Sequence, residues 1–230
     1  MPKMKIEQTA SDTQSPKSKA QSAGATERVY LGILQSLEQH RMVPGQRLIE
    51  TELAIQFGVG RNAVREAMQR LAVRGVVDLK PNQSASIRKL DIAETVEILE
   101  VAADLTSLAA GFAADKYDPA LHGEILGNVE EAFKACEDLR EPSDFSRARR
   151  QFYRTLLVIG ANRELQRLFM AIGVHVIYSQ HQTYELQQIR LADYRAICKA
   201  VRSRDVGLAK AAGRDHVEHE RDFIVKRSRI

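Results

Sequence analysis

The sequence has little of what marks the more specialised classes of protein. Its 230 residues include no tryptophan and only two cysteines, Cys136 and Cys198. Two cysteines exclude a disulfide framework and a cysteine-rich zinc fold, and they suit a reducing compartment. No apolar run approaches the roughly 20 residues that a membrane-spanning helix needs, and the amino terminus lacks a signal-peptide core. We therefore expect a soluble cytoplasmic protein that has no membrane partner.

Signals of catalysis are missing as well. The sequence has no glycine-rich loop of the kind that cradles phosphates, and no nucleophile and base form a recognisable pattern. We expect a protein that is not an enzyme.

Charge is abundant but almost balanced, since 34 lysines and arginines face 30 aspartates and glutamates, which gives a net charge of +4. The excess is local. Residues 25–89 hold ten basic and six acidic side chains, whereas residues 90–230 hold 20 basic and 22 acidic ones. A basic module followed by a mildly acidic one favours an anionic partner for the first module and a different task for the second.

Turn residues and hydrophobic periodicity divide the chain into three parts. Residues 1–24 contain almost no large apolar residue, so we expect a disordered tail there. Residues 25–89 predict a helix from about Thr26, helices over 50–57 and 61–74, and a β-hairpin made by 76–79 and 85–88. Helix, helix, turn, helix and hairpin is the order of a winged helix-turn-helix.

From residue 90 onward the pattern is helical, with no convincing strand. Proline, glycine and asparagine separate predicted helices over 92–116, 119–139, 143–159, 162–181, 185–202 and 205–226. Asn162 is interpreted as a helix cap. The expected fold class is mainly α, with an N-terminal winged helix-turn-helix followed by an all-helical bundle domain over 90–230.

The third predicted helix carries the case for DNA binding. Its apolar positions Val64, Met68 and Leu71 share one face, which leaves Arg61 and Arg65 on another. An arginine fork can bond the O6 and N7 atoms of guanine together, so these two side chains are candidate base readers in the major groove.

Other side chains of the first module are candidates for positioning it on DNA. Asn62 is a candidate to pair with adenine or to reach a phosphate. Arg28, Arg47 and Lys80 are candidates to contact the DNA backbone. Gln83 of the wing is a further DNA-binding candidate. The competing interpretation is a solvated helix face, on which Arg61 and Arg65 pair only with Glu50 or Glu66.

Several segments of the first module closely resemble the GntR family of bacterial transcription regulators. They are Ile33 to Leu37, Val43-Pro44-Gly45-Gln46-Arg47-Leu48, Glu52-Leu53-Ala54, Phe57-Gly58-Val59 and the run from Arg61 to Leu71. The resemblance implies a sequence-specific regulator that binds a double-stranded DNA operator. The sequence departs from the family pattern at Gly60, Asn62 and Ala63, where serine, threonine and proline are usual, and in the wing at Asn82 and Gln83.

Most of residues 94–220 resemble, more weakly, the FadR-type ligand-sensing domain of one GntR subfamily, often called FCD. The resemblance rests on Leu108-Ala109-Ala110, Phe152, Gly160-Ala161-Asn162, Tyr194-Arg195-Ala196-Ile197, and Asp205 followed by His216. Many members of that subfamily bind a divalent metal through an aspartate, a histidine four residues later and two further histidines. The corresponding positions here are Arg149, Tyr153, Tyr194 and His216.

These replacements imply that the usual metal site of the subfamily is lost, because a guanidinium cannot ligate a metal and repels one. We expect the four side chains to form a pocket for a small organic-acid-like effector, with Arg149 as the clamp for a carboxylate or phosphate. Two other interpretations stay open. Arg149 pairs with Asp104 or Glu100 in a plugged core, or a displaced metal site uses His216, His219 and Glu220, with His175 and His181 as further candidates.

Together these expectations describe a ligand-responsive repressor that acts as a homodimer on a short inverted repeat. The alternative is a DNA-binding regulator or architectural binder whose sensor pocket does not function.

Overall fold

The computed structural model describes residues 16–80, 83–138 and 142–229. Its first part contains α1 (Pro16–Glu38), α2 (Glu50–Phe57) and α3 (Arg61–Val73). A short hairpin follows, in which β1 (Val77–Asp78) pairs antiparallel with β2 (Ser86–Ile87). This is the expected order of a winged helix-turn-helix, with strands shorter than predicted.

Apolar residues spaced at helical intervals hold the first part together. The core of this N-terminal domain is formed by α1, α2, α3 and the hairpin, with Val29, Ile33, Leu37, Leu53, Val64, Met68, Leu71 and Ile87 buried. Gly58 ends α2 in the left-handed region, at φ 61°, and its N–H donates to the carbonyls of Ala54 and Ile55. That conformation suits glycine, and it produces the tight turn into α3.

The start of α1 differs from the prediction. The helix begins at Pro16, so residues 16–24, expected to be part of a disordered tail, are helical, while residues 1–15 lie outside the described residues. Proline suits a first helical turn, and extending a nucleated helix adds one hydrogen bond for each residue fixed. Thr26, where the helix was predicted to begin, lies inside α1; it is buried, and its hydroxyl donates to Glu66 Oε2 at 2.9 Å.

The second part is entirely helical within the described residues. Its helices are α4 (Ile92–Lys116), α5 (Pro119–Asp138), α6 (Pro142–Gly160), α7 (Arg163–Ala171), α8 (Val174–Gln180), α9 (Tyr184–Arg202) and α10 (Val206–Ser228). Alanine-rich α4 lies at the centre and packs along α10. The two helices approach so closely that a Cβ added at Gly213 would lie 2.8 Å from the carbonyl oxygen of Thr106. Among the described residues, no helix combines the length and apolar character needed to span a membrane.

The single helix predicted over 162–181 is wrong, because the chain forms α7 and α8 with a break at Ile172 and Gly173. Glycine is a poor helix former, and here it lies beside the N-terminal domain. A Cβ at Gly173 would lie 3.8 Å from the carbonyl oxygen of Arg74. Asn162 caps α7 as predicted, since its Oδ1 accepts from the N–H of Leu165 at 3.0 Å.

The helical domain contacts the N-terminal domain directly, through α6 and α8 packed against α1. Glu38 at the end of α1 forms an ion pair with Arg150 of α6. The side-chain amide of Gln180, at the end of α8, accepts from the N–H of Leu90 at 2.7 Å and donates to the carbonyl of the same residue at 3.1 Å. Leu90 belongs to the segment that joins the domains, so α8 holds both that segment and α1.

Candidate functional site

The exposed face of α3 presents the predicted base readers. Arg61, Asn62 and Arg65 are exposed in its first turns, whereas Val64 and Met68 are buried on the opposite side. Gly60 is the N-cap residue and provides no side-chain hydrogen bond. A recognition helix needs this division between a buried side and an open side.

Arg65 is held by a carboxylate of α2. Its Nε donates to Glu50 Oε1 at 2.9 Å and to Oε2 at 2.8 Å, while 58% of the side chain stays exposed. The pairing with Glu50 considered from the sequence therefore forms, and Glu66 instead accepts from Thr26. Because both bonds use Nε, they leave the terminal nitrogens of Arg65 for a base or phosphate oxygen.

The wing is continued by a third short segment. Arg47 forms an isolated antiparallel bridge with Ser86, and the N–H of Leu48 donates to the carbonyl of Ala85 at 2.7 Å. The predicted backbone contacts Arg28, Arg47 and Lys80 are exposed, and so is Gln83 of the wing. Asn82, the other unusual wing residue, lies outside the described residues.

In the helical domain, three of the four predicted effector residues meet. The hydroxyl of Tyr153 lies 3.0 Å from His216 Nε2, and the rings of Tyr194 and His216 have centroids 4.8 Å apart. Tyr178, which the sequence did not single out, donates from its hydroxyl to the hydroxyl of Tyr153 at 3.0 Å. Burial holds the pKa of Tyr153 and Tyr194 well above the usual range and raises that of Tyr178 to about 12, so all three hydroxyls keep their protons at neutral pH.

Arg149, the fourth residue, lies beside them as a buried cation. It is 3% exposed, and within the described chain its Nη1 has no hydrogen-bond partner. Its guanidinium stacks on the ring of Tyr178, with Cζ 3.9 Å from the centroid of the ring. Neither suggested partner neutralises it, and Asp104 pairs instead with Arg214. Burial lowers the pKa of Arg149, against the opposing influence of the nearby tyrosines.

A second buried cation was not predicted. Arg190 of α9 donates from Nη2 to Glu220 Oε1 of α10 at 2.5 Å, and both side chains are fully buried. Burial lowers the pKa of Arg190, but the charge and hydrogen bond of Glu220 outweigh it and raise the pKa overall. Glu220 is therefore occupied by Arg190. Together with Arg149, the pair makes a centre with two cations and one anion.

The histidines do not assemble a displaced metal site. His216 and His219 both face Asp193, with Nδ1 atoms 3.4 and 3.0 Å from its carboxylate oxygens. Over residues 16–80, 83–138 and 142–229, no three side chains among His, Cys, Asp and Glu are placed to hold a metal ion. His175 lies apart from His216 and His219. Burial is the main cause that lowers its pKa to about 4, and the positive charges of Arg149, Arg74 and Arg150 add to the effect.

A cavity of about 710 Å³ opens between the two domains, and we call it the interdomain cavity. Side chains of α1, α6, α7 and α8 line it, together with Arg74, which follows α3. Arg149 and Tyr153 reach it, whereas Tyr194 and His216 do not line it and lie fully buried against Tyr153. Only half of the predicted effector residues therefore border this space.

Comparison with known proteins finds matches to two family models along the chain. Residues 25–87 match the model for bacterial regulatory proteins of the gntR family, and residues 97–219 match the FCD domain. The chain belongs to the GntR family. An HTH-type transcriptional regulator in an unstable DNA locus of Streptomyces ambofaciens is 30% identical over 213 residues, 89% of this chain and 88% of its own length.

Two more similar proteins extend the comparison. A probable D-xylose utilization operon transcriptional repressor of Paenarthrobacter nicotinovorans is 28% identical over 63% of each chain. The solved structure of E. coli McbR/YncC superposes with a TM-score of 0.73 at 19% identity, over 89% of this chain and 98% of that one, and it shows the shared fold. The protein is thus an HTH-type transcriptional regulator of the GntR family with an FCD domain, and its mainly helical fold class is confirmed.

The residues at the FCD metal positions of this GntR regulator do not fit a divalent cation. Arg149 brings a positive charge to the position where an aspartate ligand is usual, and the two tyrosine hydroxyls stay protonated. Of the four, only His216 is an ordinary ligand for such a metal. Loss of the metal stays a prediction, which elemental analysis of protein purified without chelators would test. A stoichiometric zinc or nickel signal would contradict it.

Proposed function

We propose that this GntR regulator is a cytoplasmic homodimeric repressor whose affinity for an inverted-repeat operator changes when an anionic metabolite binds the FCD domain. Two copies of α3 related by a two-fold axis suit two half-sites, with Arg61, Asn62 and Arg65 facing the bases. The name of the relative from Paenarthrobacter nicotinovorans supports a repressor.

The uncompensated charge of Arg149 carries the proposal for the sensor. A buried charge without a partner is costly, and arginine binds carboxylates and phosphates through paired hydrogen bonds. Arg149 is buried, has no carboxylate partner among the described residues, and borders a cavity large enough for a small metabolite. An anionic ligand supplies the missing counter-charge, and Tyr153 lines the same cavity.

The experiment combines a ligand screen with DNA binding. Operator fragments are first selected from a pool of random DNA, and a repressor dimer is expected to enrich an inverted repeat. Carboxylates and phosphorylated metabolites are then screened for those that raise the melting temperature of the wild type but not of Arg149→Ala. Arg147→Ala is the matched control, because Arg147 lies on the same helix, is exposed and pairs with Asp144.

Each stabilising compound is then added to a fluorescence anisotropy titration of the selected operator. We expect at least one compound to change the operator Kd about tenfold, a coupling of about 1.4 kcal/mol. If no compound alters operator affinity, the protein is a regulator or architectural binder without a working sensor.

A further inference from the structure

We propose that the effector binds between the two domains, as a carboxylate with an apolar body, and that α1 of the DNA-binding domain forms part of its binding site. This inference rests on the proposed function, because it concerns the effector of the same sensor. It adds three points to that proposal: α1 forms one wall of the binding site, the ligand has a stated chemical class, and α1 transmits ligand binding to α3.

The two walls of the interdomain cavity belong to different domains. On one side lie Arg149, Tyr153, Phe169, Met170 and Tyr178 of the helical domain. On the other side, α1 contributes Tyr30, Leu31, Leu34, Gln35, Glu38 and Gln39. A molecule filling this space therefore contacts both domains at once.

The polar groups around the cavity select an anion. Among the described residues, four arginines border it, Arg74, Arg149, Arg150 and Arg154, against the single carboxylate of Glu38. Arg74 and Arg150 already have partners, since Arg74 donates to the hydroxyl of Tyr30 at 2.5 Å and Arg150 pairs with Glu38. Arg149 is the buried one, and its Nη1 lacks a hydrogen-bond partner within the described chain.

The rest of the cavity lining is apolar, so it suits a ligand with an apolar body better than a small inorganic ion. Apolar side chains in the described part of the chain border the cavity, among them Leu31, Leu34, Leu157, Val158, Phe169, Met170 and Val174. Leu31 is 53% exposed on α1, and Val158 and Met170 are also exposed on the facing wall. Covering these surfaces is favourable in proportion to the apolar area removed from water, so an aliphatic chain or an aromatic ring fits beside the anionic end.

The position of α1 connects this site to DNA. Val29 and Ile33 of α1 lie in one buried cluster with Val64 and Met68 of α3, so a displacement of α1 is transmitted to the recognition helix. Glu38 ties α1 to Arg150, and a ligand carboxylate carries the same charge as Glu38. Binding near the arginines therefore competes with this interdomain ion pair, which couples ligand and operator affinities.

Isothermal titration of the full chain tests the ligand class, with octanoate and 3-phenylpropanoate as probes. Acetate has the charge without the apolar body, and 1-octanol has the apolar body without the charge. We expect at least one probe to bind, and both controls to bind at least about tenfold more weakly, the factor that 1.4 kcal/mol produces. If neither probe binds, or a control binds as tightly, the ligand class is wrong.

Variants of α1 test the shared site, and two opposite effects are expected. Leu31→Asn removes apolar contact and should raise the probe Kd about fivefold, for a half-exposed leucine. Glu38→Gln removes the competing carboxylate and should lower the Kd about threefold. Leu121→Asn is the control, because Leu121 is 73% exposed on α5 and does not line the cavity.

The two proposals fail in different ways. Wild-type affinity in both α1 variants, with binding lost in Arg149→Met and Met170→Asn, overturns the shared site but leaves a sensor inside the helical domain. Wild-type affinity in Arg149→Met overturns both proposals for these probes. Far-UV circular dichroism and melting temperatures establish that each variant is folded.

Discussion

Replacing Arg149 by methionine is expected to make the ligand-free protein more stable, although Arg149 is buried in the centre of the helical domain. The reason is the missing counter-charge. Arg149 is 3% exposed, its Nη1 has no hydrogen-bond partner in the described chain, and Glu220 is already paired with Arg190. Its favourable contact is the ring of Tyr178, 3.9 Å away.

The expected gain follows from two opposing contributions. Burying one charge costs several kcal/mol even after relaxation of the protein. A desolvated cation–π contact returns about 2 kcal/mol. Methionine keeps most of the apolar stem, so we expect Arg149→Met to raise the free energy of unfolding by about 1–3 kcal/mol. For a chain of this length, about 3 °C per kcal/mol gives a rise in melting temperature of about 3–9 °C.

The matched control is the same substitution at the paired arginine. Arg190→Met leaves Glu220 buried without its partner, and breaking a buried pair in this way costs about 3–5 kcal/mol. Thermal unfolding followed by far-UV circular dichroism and urea unfolding at pH 7.5 measure both variants. The two substitutions should therefore change stability in opposite directions.

A loss of stability in Arg149→Met as large as in Arg190→Met would refute the reasoning, because it would show that the fold already neutralises Arg149. The ligand provides a second check. At a hundred times its Kd, a ligand stabilises the wild type by about 2.7 kcal/mol. An anion that binds through Arg149 should stabilise the wild type but not Arg149→Met. It should therefore reduce or abolish the difference between their free energies of unfolding.

Three more measurements test other parts of the structure. Arg65→Ala should weaken binding to the selected operator by about 1–3 kcal/mol and to random DNA hardly at all, by fluorescence anisotropy; equal losses would make Arg65 a phosphate contact. Burial and nearby Arg149 hold the pKa of His175 at about 4, below its usual 6.5. As the pH falls, His175 therefore gains its proton in the unfolded chain before it does so in the folded one. The contribution of neutral His175 to the free energy of unfolding is complete above pH 6.5 and is lost as the pH falls toward 4. Between pH 6.5 and 4.5, His175→Gln should remove roughly 2 kcal/mol of that pH dependence, because both values lie inside the titration range; urea unfolding at these two pH values would contradict this if the variant lost as much stability as the wild type. Gly60→Ser, at an extended N-cap with open space, should stabilise by a few tenths of a kcal/mol, whereas Gly58→Ser, at φ 61°, should cost about 1 kcal/mol in the same unfolding assay, and equal effects would contradict the cap assignment.

Local chemistry is what made much of the fold predictable. A left-handed Gly58 ends α2, and Asn162 caps α7 through the N–H of Leu165 at 3.0 Å. Each signal lies within a few residues of the structure that it determines. The early start of α1 and the break at Gly173 were not predicted, because helix propagation and a tertiary contact decide them.

The candidate site was only partly predictable, for the same physical reason. The position of Arg149 followed from a resemblance along the sequence. Its missing partner did not, because Arg190 and Glu220 meet across two helices and leave Arg149 alone. The interdomain cavity depends on the packing of α1 against α8, and no spacing within one helix predicts such a contact.

An arginine in the place of a metal ligand changes what the sensor needs from its ligand. A bound metal ion brings positive charge that protein carboxylates and histidines are arranged to satisfy. Arg149 brings positive charge that no carboxylate of the described chain satisfies, so the free protein carries a cost that an anion relieves on binding. The free energy that Arg149→Met recovers in the ligand-free protein is then the free energy available to favour charged ligands over neutral ones of the same shape. Affinity for the anion and instability of the empty protein should therefore rise and fall together in variants around Arg149.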